Sequence, residues 1–227
     1  MSSATAGENV DALASARIVD AAAAFGFMFD DQRPILARAE ADLAKCLAAA
    51  PNHAWAHFGM GMVLCATNRA LRCMGELEQA LAIDPNFARA RAFFGLAHVY
   101  VGRAEETEGH VVEAARLSPR DPLIHIWLMF AGFAKTLLGK WEEALSWLRK
   151  SIDANPNNPW SNFYLSACLV HLDRLDEARV AIGAGLAVNP KFSIKRLRAF
   201  GESDNPVFLA RRERMIEAMR MAGVPDE

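Results

Sequence analysis

Strand-forming residues are scarce in this chain of 227 residues. It holds two tyrosines, and valine, isoleucine and threonine are thinly spread among abundant alanine, leucine and arginine. That balance disfavours sheet and favours helix. Long hydrophobic runs are also missing. "AAAAFGFMF" is bounded by Asp20 and Asp30, and "IWLMFAGFA" stops at Lys135, so neither approaches the roughly 20 residues of a membrane span. The polar N-terminus "MSSATAGENVDA" has no basic n-region, and no secretory leader is expected. The net charge of −2 removes any global argument for a nucleic-acid or anionic-membrane partner. Only the stretch 191–220 is mildly basic, with eight Lys/Arg against four acids, and a solvated helix face accounts for it. The four cysteines, Cys46, Cys65, Cys73 and Cys168, show no CxxC pairing and sit inside apolar runs. There a free cysteine acts as a small apolar residue, and a reduced, cytoplasmic protein is expected.

Catalytic and metal motifs are equally thin. "LLGKWEE" has Ala134 and Trp141 where a phosphate loop needs Gly and Ser/Thr. His53 and His57 lie four apart, but the glutamate of a zincin is absent, and a structural pair at a helix start is expected. His98, His110, His125 and His171 fall one per helix with no evident carboxylate partner. Glu105, Glu106, Glu108, Glu142 and Glu143 lie in first turns, where acids favour the helix dipole. No catalytic residue, metal ligand or cofactor site is assigned, and the chain is not expected to be an enzyme.

What is present is a period. Pro51, Pro85, Pro119, Pro156 and Pro190 are separated by 34, 34, 37 and 34 residues; the longer step is ascribed to three extra residues in the loop "SPRDPL". Five residues before each proline lie Cys46, Ala80, Ala114, Ser151 and Gly185, and twelve before lie Ala39, Cys73, Thr107, Ala144 and Ala178. All ten are small. Seventeen before are the turn formers Pro34, Asn68, Gly102, Gly139 and Asp173. Twenty-four before are Phe27, Gly61, Gly95, Gly132 and Ser166. A mid-helix glycine costs about 0.5–1 kcal/mol relative to alanine, so three in one phase imply a compensating close approach between two helices. Proline then ends the second helix of each unit. Phe27 replaces the small residue in the first unit, whose start is expected to pack differently. Beyond Pro190, "FSIKRLRAF" predicts a short helix. "SDNPVFLARRERMIEAMRMAG" predicts a longer one, N-capped by Asn205, with Pro206 in its first turn and Gly223 at its C-terminus.

Paired helices at a 34-residue period with these glycines, alanines and terminal prolines resemble the tetratricopeptide repeat (TPR). The resemblance implies an all-α fold, a right-handed α-α superhelix of about five helical hairpins over residues 13–190. A flexible tail over residues 1–12 and C-terminal capping helices over 191–227 complete the expected organisation. The passages "GRAEETEGHVVEAARLSPRDP" and "KFSIKRLRAFGESDNPVFLARRERMIEAMRMAGVP" are further similar to the C-terminal repeat region of rhizobial-type bacterial class III nucleotide cyclases. The chain begins within that region, so the resemblance implies a regulatory or interaction part of a cyclase system and not the enzyme.

In such stacks the first helices line a channel. Residues in constant phase put Trp55, Phe58, Met62, Arg89, Leu96, Tyr100, Met129, Phe133, Trp160 and Phe163 on its wall. Arg89 is the one cation among the phase positions, so a carboxylate clamp is not expected. The wall suits an amphipathic helix or apolar peptide, and methionine adapts to varied shapes. The expected function is a non-catalytic scaffold for protein–protein interaction. The alternatives for the stripe are a core covered by the chain's own terminal helices, or a homodimer interface.

Overall fold

The computed structural model describes residues 3–25, 32–199 and 203–227; Phe27 and Met28 lie outside these spans. The described residues form twelve α-helices and one short 3₁₀ turn, with no strand. Ten helices pair as five successive hairpins: α1 (Ser3–Phe25) with α2 (Arg33–Ala49), α3 (Ala54–Ala66) with α4 (Ala70–Ile83), α5 (Ala88–Tyr100) with α6 (Thr107–Leu117), α7 (Ile124–Leu137) with α8 (Trp141–Ala154), and α9 (Pro159–His171) with α10 (Leu175–Val188). Each hairpin packs on the next, as the period predicts.

Proline sets the end of every second helix. α2, α4, α6, α8 and α10 each stop two residues before Pro51, Pro85, Pro119, Pro156 and Pro190. The hairpin turns need left-handed backbone, and the phase residues supply it: Asn68 (φ 56°), Gly102 (φ 84°), Gly139 (φ 74°) and Asp173 (φ 59°). Asparagine, aspartate and glycine tolerate that region. The ten small residues are all buried, which is why the hairpin helices can close on one another.

The glycines do face the neighbouring helix, though not always a small residue. A Cβ on Gly132 would lie 2.6 Å from Leu148, and one on Gly61 2.9 Å from Leu77. Gly95 approaches the backbone more directly, with Thr107 O at 3.1 Å from its absent Cβ. In two of the three hairpins the glycine therefore makes a socket for a leucine.

Three expectations need correction. The long repeat step is not all loop: residues 118–123 make a six-residue loop where 84–87 makes four, and α7 has 14 residues where α5 has 13. Residues 3–12 are helical, not a tail, because α1 begins at Ser3. The apolar face of α1 continues back through Ile18, Ala14 and Val10 onto the core, and Asp11 Oδ1 meets His53 Nε2 at 2.6 Å. Finally, the cysteines are not all free. Cys65 on α3 and Cys73 on α4 form a disulfide with Cα atoms 5.5 Å apart, while Cys46 and Cys168 are buried free thiols. The antiparallel hairpin brings the pair together across an eight-residue separation that contains no recognisable motif. Cysteine usage then no longer argues for a reducing compartment.

The C-terminal helices form as read from sequence. α11 spans Ile194–Ala199 and α12 spans Pro206–Ala222. Asn205 Oδ1 accepts from Val207 N and Phe208 N, and Gly223 closes α12 at φ 105°. α12 does more than cover the last hairpin. It packs on α7, α9 and α10. Ser203 Oγ donates to Tyr100 O, Asn205 Nδ2 to Val101 O, Arg211 to Gly102 O and Arg214 to Leu137 O. These side chains satisfy carbonyls at the open C-terminal ends of α5 and α7.

Candidate functional site

The first helices α3, α5, α7 and α9 line an open cavity of about 620 Å³. Eight of the ten residues expected on the channel wall line it: Phe58, Met62, Arg89, Leu96, Tyr100, Met129, Phe133 and Trp160. Trp55 stands at the lip, 42% exposed. Its ring lies 4.6 Å from that of Phe87, and Arg89 sits 5.6 Å over it. Phe163 is not part of the wall. It is fully buried, stacked on Phe192 at 3.8 Å, and its ring fills the space where Gly185 lacks a Cβ. In the last hairpin glycine stands on the second helix, so the aromatic turns into the α9–α10 seam.

Several lining residues were not expected. Phe58, Phe93 and Phe130 form an edge-to-face ladder across three hairpins, with centroids 5.4 and 5.2 Å apart. Phe93, Phe130 and Tyr164 each lie twenty-six residues before a repeat proline, so the same phase count applied one position over would have found them. Leu123, Asn155, Asn157, Asn158 and Asn189–Lys191 come from the loops that follow the second helices, where the helical period carries no signal, and Val188 is the last residue of α10.

At one end of the channel the C-terminal helix packs behind the wall. Phe208 of α12 packs edge-on to Tyr100 and Phe133, at 5.5 and 6.5 Å, and Phe133 stacks on Tyr164 at 4.6 Å. The other end lies at the start of α5, α7 and α9. There Arg89 pairs with Asp121 at 3.0 Å, and Asn155 Nδ2 meets His125 Nε2 at 3.1 Å. Burial pushes the His125 imidazole below its usual range. Among the described residues no Asp or Glu lines the cavity. Trp127 lines it and is fully buried, and its indole Nε1–H has no partner.

The remaining polar candidates serve structure. His53 N-caps α3 by accepting from Ala56 N, and His57 bridges Glu76 and Pro51 O. His98 does have a carboxylate partner, Glu106 at 3.1 Å, and stacks on His110; the 3₁₀ turn before α6 brings Glu106 back over α5. Buried Lys135 ties Glu108 to Glu143 at 2.7 and 2.5 Å. Burial pulls its pKa down, but hydrogen bonds to the two carboxylates outweigh this and raise it. Among the described residues no group of three or more His, Cys, Asp or Glu is placed to hold a metal, and no helix is long and apolar enough to cross a membrane.

The tetratricopeptide repeat family matches residues 136–199, the part that begins in α7 and ends in α11. No curated protein matches the sequence. Among solved structures, PilF of Pseudomonas aeruginosa is similar at a TM-score of 0.63 and 19% identity, covering 92% of this chain and 90% of that one. A thermophilic TPR protein of Thermus thermophilus is similar at a TM-score of 0.62 and 18% identity, with 82% and 92% covered. YrrB, described as a TPR protein with an unusual peptide-binding site, is similar at a TM-score of 0.51 and 20% identity, with 79% and 90% covered. Neither the matched family nor these structures concern a nucleotide cyclase. The fold is an all-α TPR superhelix.

Proposed function

We propose that the chain is a non-catalytic scaffold that holds a protein partner at the mouth of the α3–α5–α7–α9 cavity. One observation carries this: an apolar cavity opens beside a half-exposed tryptophan, Trp55, flanked by an arginine. Aromatic and Arg side chains at the edge of a desolvated pocket are the usual anchors of a protein interface. The partner segment is an amphipathic helix that satisfies its own backbone and sends large side chains inward.

The test is selection of helical peptides from a displayed library against the full chain. Selected peptides should lose about 2 kcal/mol of affinity, roughly thirtyfold, against Trp55→Ala. They should lose most binding against Ile126→Asp, with both variants keeping the wild-type circular dichroism. Peptides that bind both folded variants as well as wild type would remove the mouth from the interface. The resemblance to cyclase-linked repeats adds a second arm: a class III cyclase mixed with saturating chain should change its rate of cyclic nucleotide formation, and an unchanged rate counts against that link. Light scattering across concentration separates a foreign partner from a second copy.

A further inference from the structure

We infer that the groove between α8, α9 and α10 is a second docking site, which takes a tryptophan side chain from a helix of a partner protein. It does not rest on the cavity mouth. Trp160 and Tyr164 of α9 line the cavity, whereas Asn162, Leu165 and Leu169 line this groove. With about 3.6 residues per turn, the two sets face nearly opposite directions. The groove has a volume of about 460 Å³, and Ile152 of α8 and Val180 of α10 stand on its walls. Val180 is 73% exposed.

The repeat shows what the groove lacks. Nine residues before the five prolines lie Asp42, Glu76, His110, Trp147 and Ala181. The first three reach back onto the first helix of their own hairpin. Asp42 pairs with Arg17 at 3.8 Å, Glu76 with His57 at 2.7 Å, and His110 stacks on His98. Trp147 donates its indole N–H to Glu108, which also holds Lys135 of α7. Ala181 is too short for any such contact, and its groove stays open.

Asn162 is left over as a result. It lies 28 residues before its proline, in the phase of His57. It is 6% exposed and lines the groove, and among the described residues its amide has no hydrogen-bond partner. A polar group left unpaired at that depth costs stability, and native chains keep few of them. In the second hairpin Glu76 satisfies this phase from within. In the fifth the satisfying group has to come from outside.

The lining says which group. Leucine, isoleucine and valine surround a single carboxamide, which calls for a large apolar body with one donor at its tip. Asp153, Asp176 and Glu177 also line the groove and disfavour an acid of the Glu76 kind. The neighbouring hairpin already uses an indole at the matching position, Trp147. Tryptophan is a frequent interface anchor, and a helix delivers it with its own backbone satisfied.

The experiment selects helical peptides from a displayed library against the purified full chain. Those kept bind Trp55→Ala as well as wild type but lose at least tenfold against Ala181→Trp, which plugs the groove; Val180→Asp replaces that variant if it does not fold. The survivors should carry a tryptophan. Exchanging it for benzothienylalanine, which keeps the shape without the N–H, should weaken binding to wild type about fivefold, the worth of one hydrogen bond. The same exchange should leave binding to Asn162→Leu unchanged. Asn162→Leu should also raise the urea midpoint of the free chain, whereas a structural asparagine would lower it. Absence of such peptides, a different anchor residue, an equal loss in both chains, or a lowered midpoint overturns the site. A wild-type dimer in sedimentation that Ala181→Trp dissolves would hand the groove to a second copy and overturn the foreign helix.

Discussion

At the scale of single residues, the glycines separate two roles. Gly132 leaves room for Leu148, and an added methyl would overlap it at 2.6 Å, whereas nothing lies within 4 Å of a Cβ on Gly75. Gly132→Ala should therefore lose about 1–3 kcal/mol through overpacking. Gly75→Ala on α4 should gain about 0.5–1 kcal/mol from helix propensity. Urea unfolding of the two variants checks the opposite signs. This much was legible in the sequence, because small residues recurring in one phase mean close contact whatever surrounds them. Phe163 was not. Phase fixes only the helix face, and whether that face meets the cavity or the seam depended on Gly185 standing opposite.

At the scale of the element, caps and breakers were readable and long-range pairings were not. Proline stops, left-handed turns and the Asn205 cap each follow from local backbone chemistry. The Cys65–Cys73 bond joins two helices, and no local rule anticipates it. Its contribution is testable. Closing so short a loop should be worth about 2 kcal/mol by chain entropy. Reducing the folded chain, or the substitution Cys65→Ala with Cys73→Ala, should lower the unfolding midpoint accordingly; the double variant should then be insensitive to reductant, whereas Cys168→Ala should respond to it as wild type does. The same limit hid the site of α12. Its helix and both caps were foreseen, but its seat on α7, α9 and α10 depends on carbonyls about one hundred residues earlier.

At the scale of the whole molecule, acid stability follows from three histidines. Burial lowers the pKa of His110, with help from His98 and Arg91, lowers that of His125, and lowers that of His171 with help from Arg214. A base whose folded pKa is depressed binds more protons when unfolded. Stability is therefore complete above the unfolded value of about 6.5 and falls as pH drops through it. Denaturant midpoints should decline from pH 7 to pH 5.5, before the paired carboxylates Glu40 and Glu143, whose pKa values are lowered by their cationic partners, begin to protonate. A flat profile over that window would show that the imidazoles do not resist charging.

Ordinary repeat arrays behave as springs, because each unit touches only its neighbours and small rotations add along the stack. Here the tail is stitched to the middle: Ser203 and Asn205 grip the end of α5, and Arg214 grips the end of α7. The three hairpins spanned by that stitch are braced like an arch with a tie rod. Their curvature is fixed before any visitor arrives, and flexing is left to the two hairpins at the untied end.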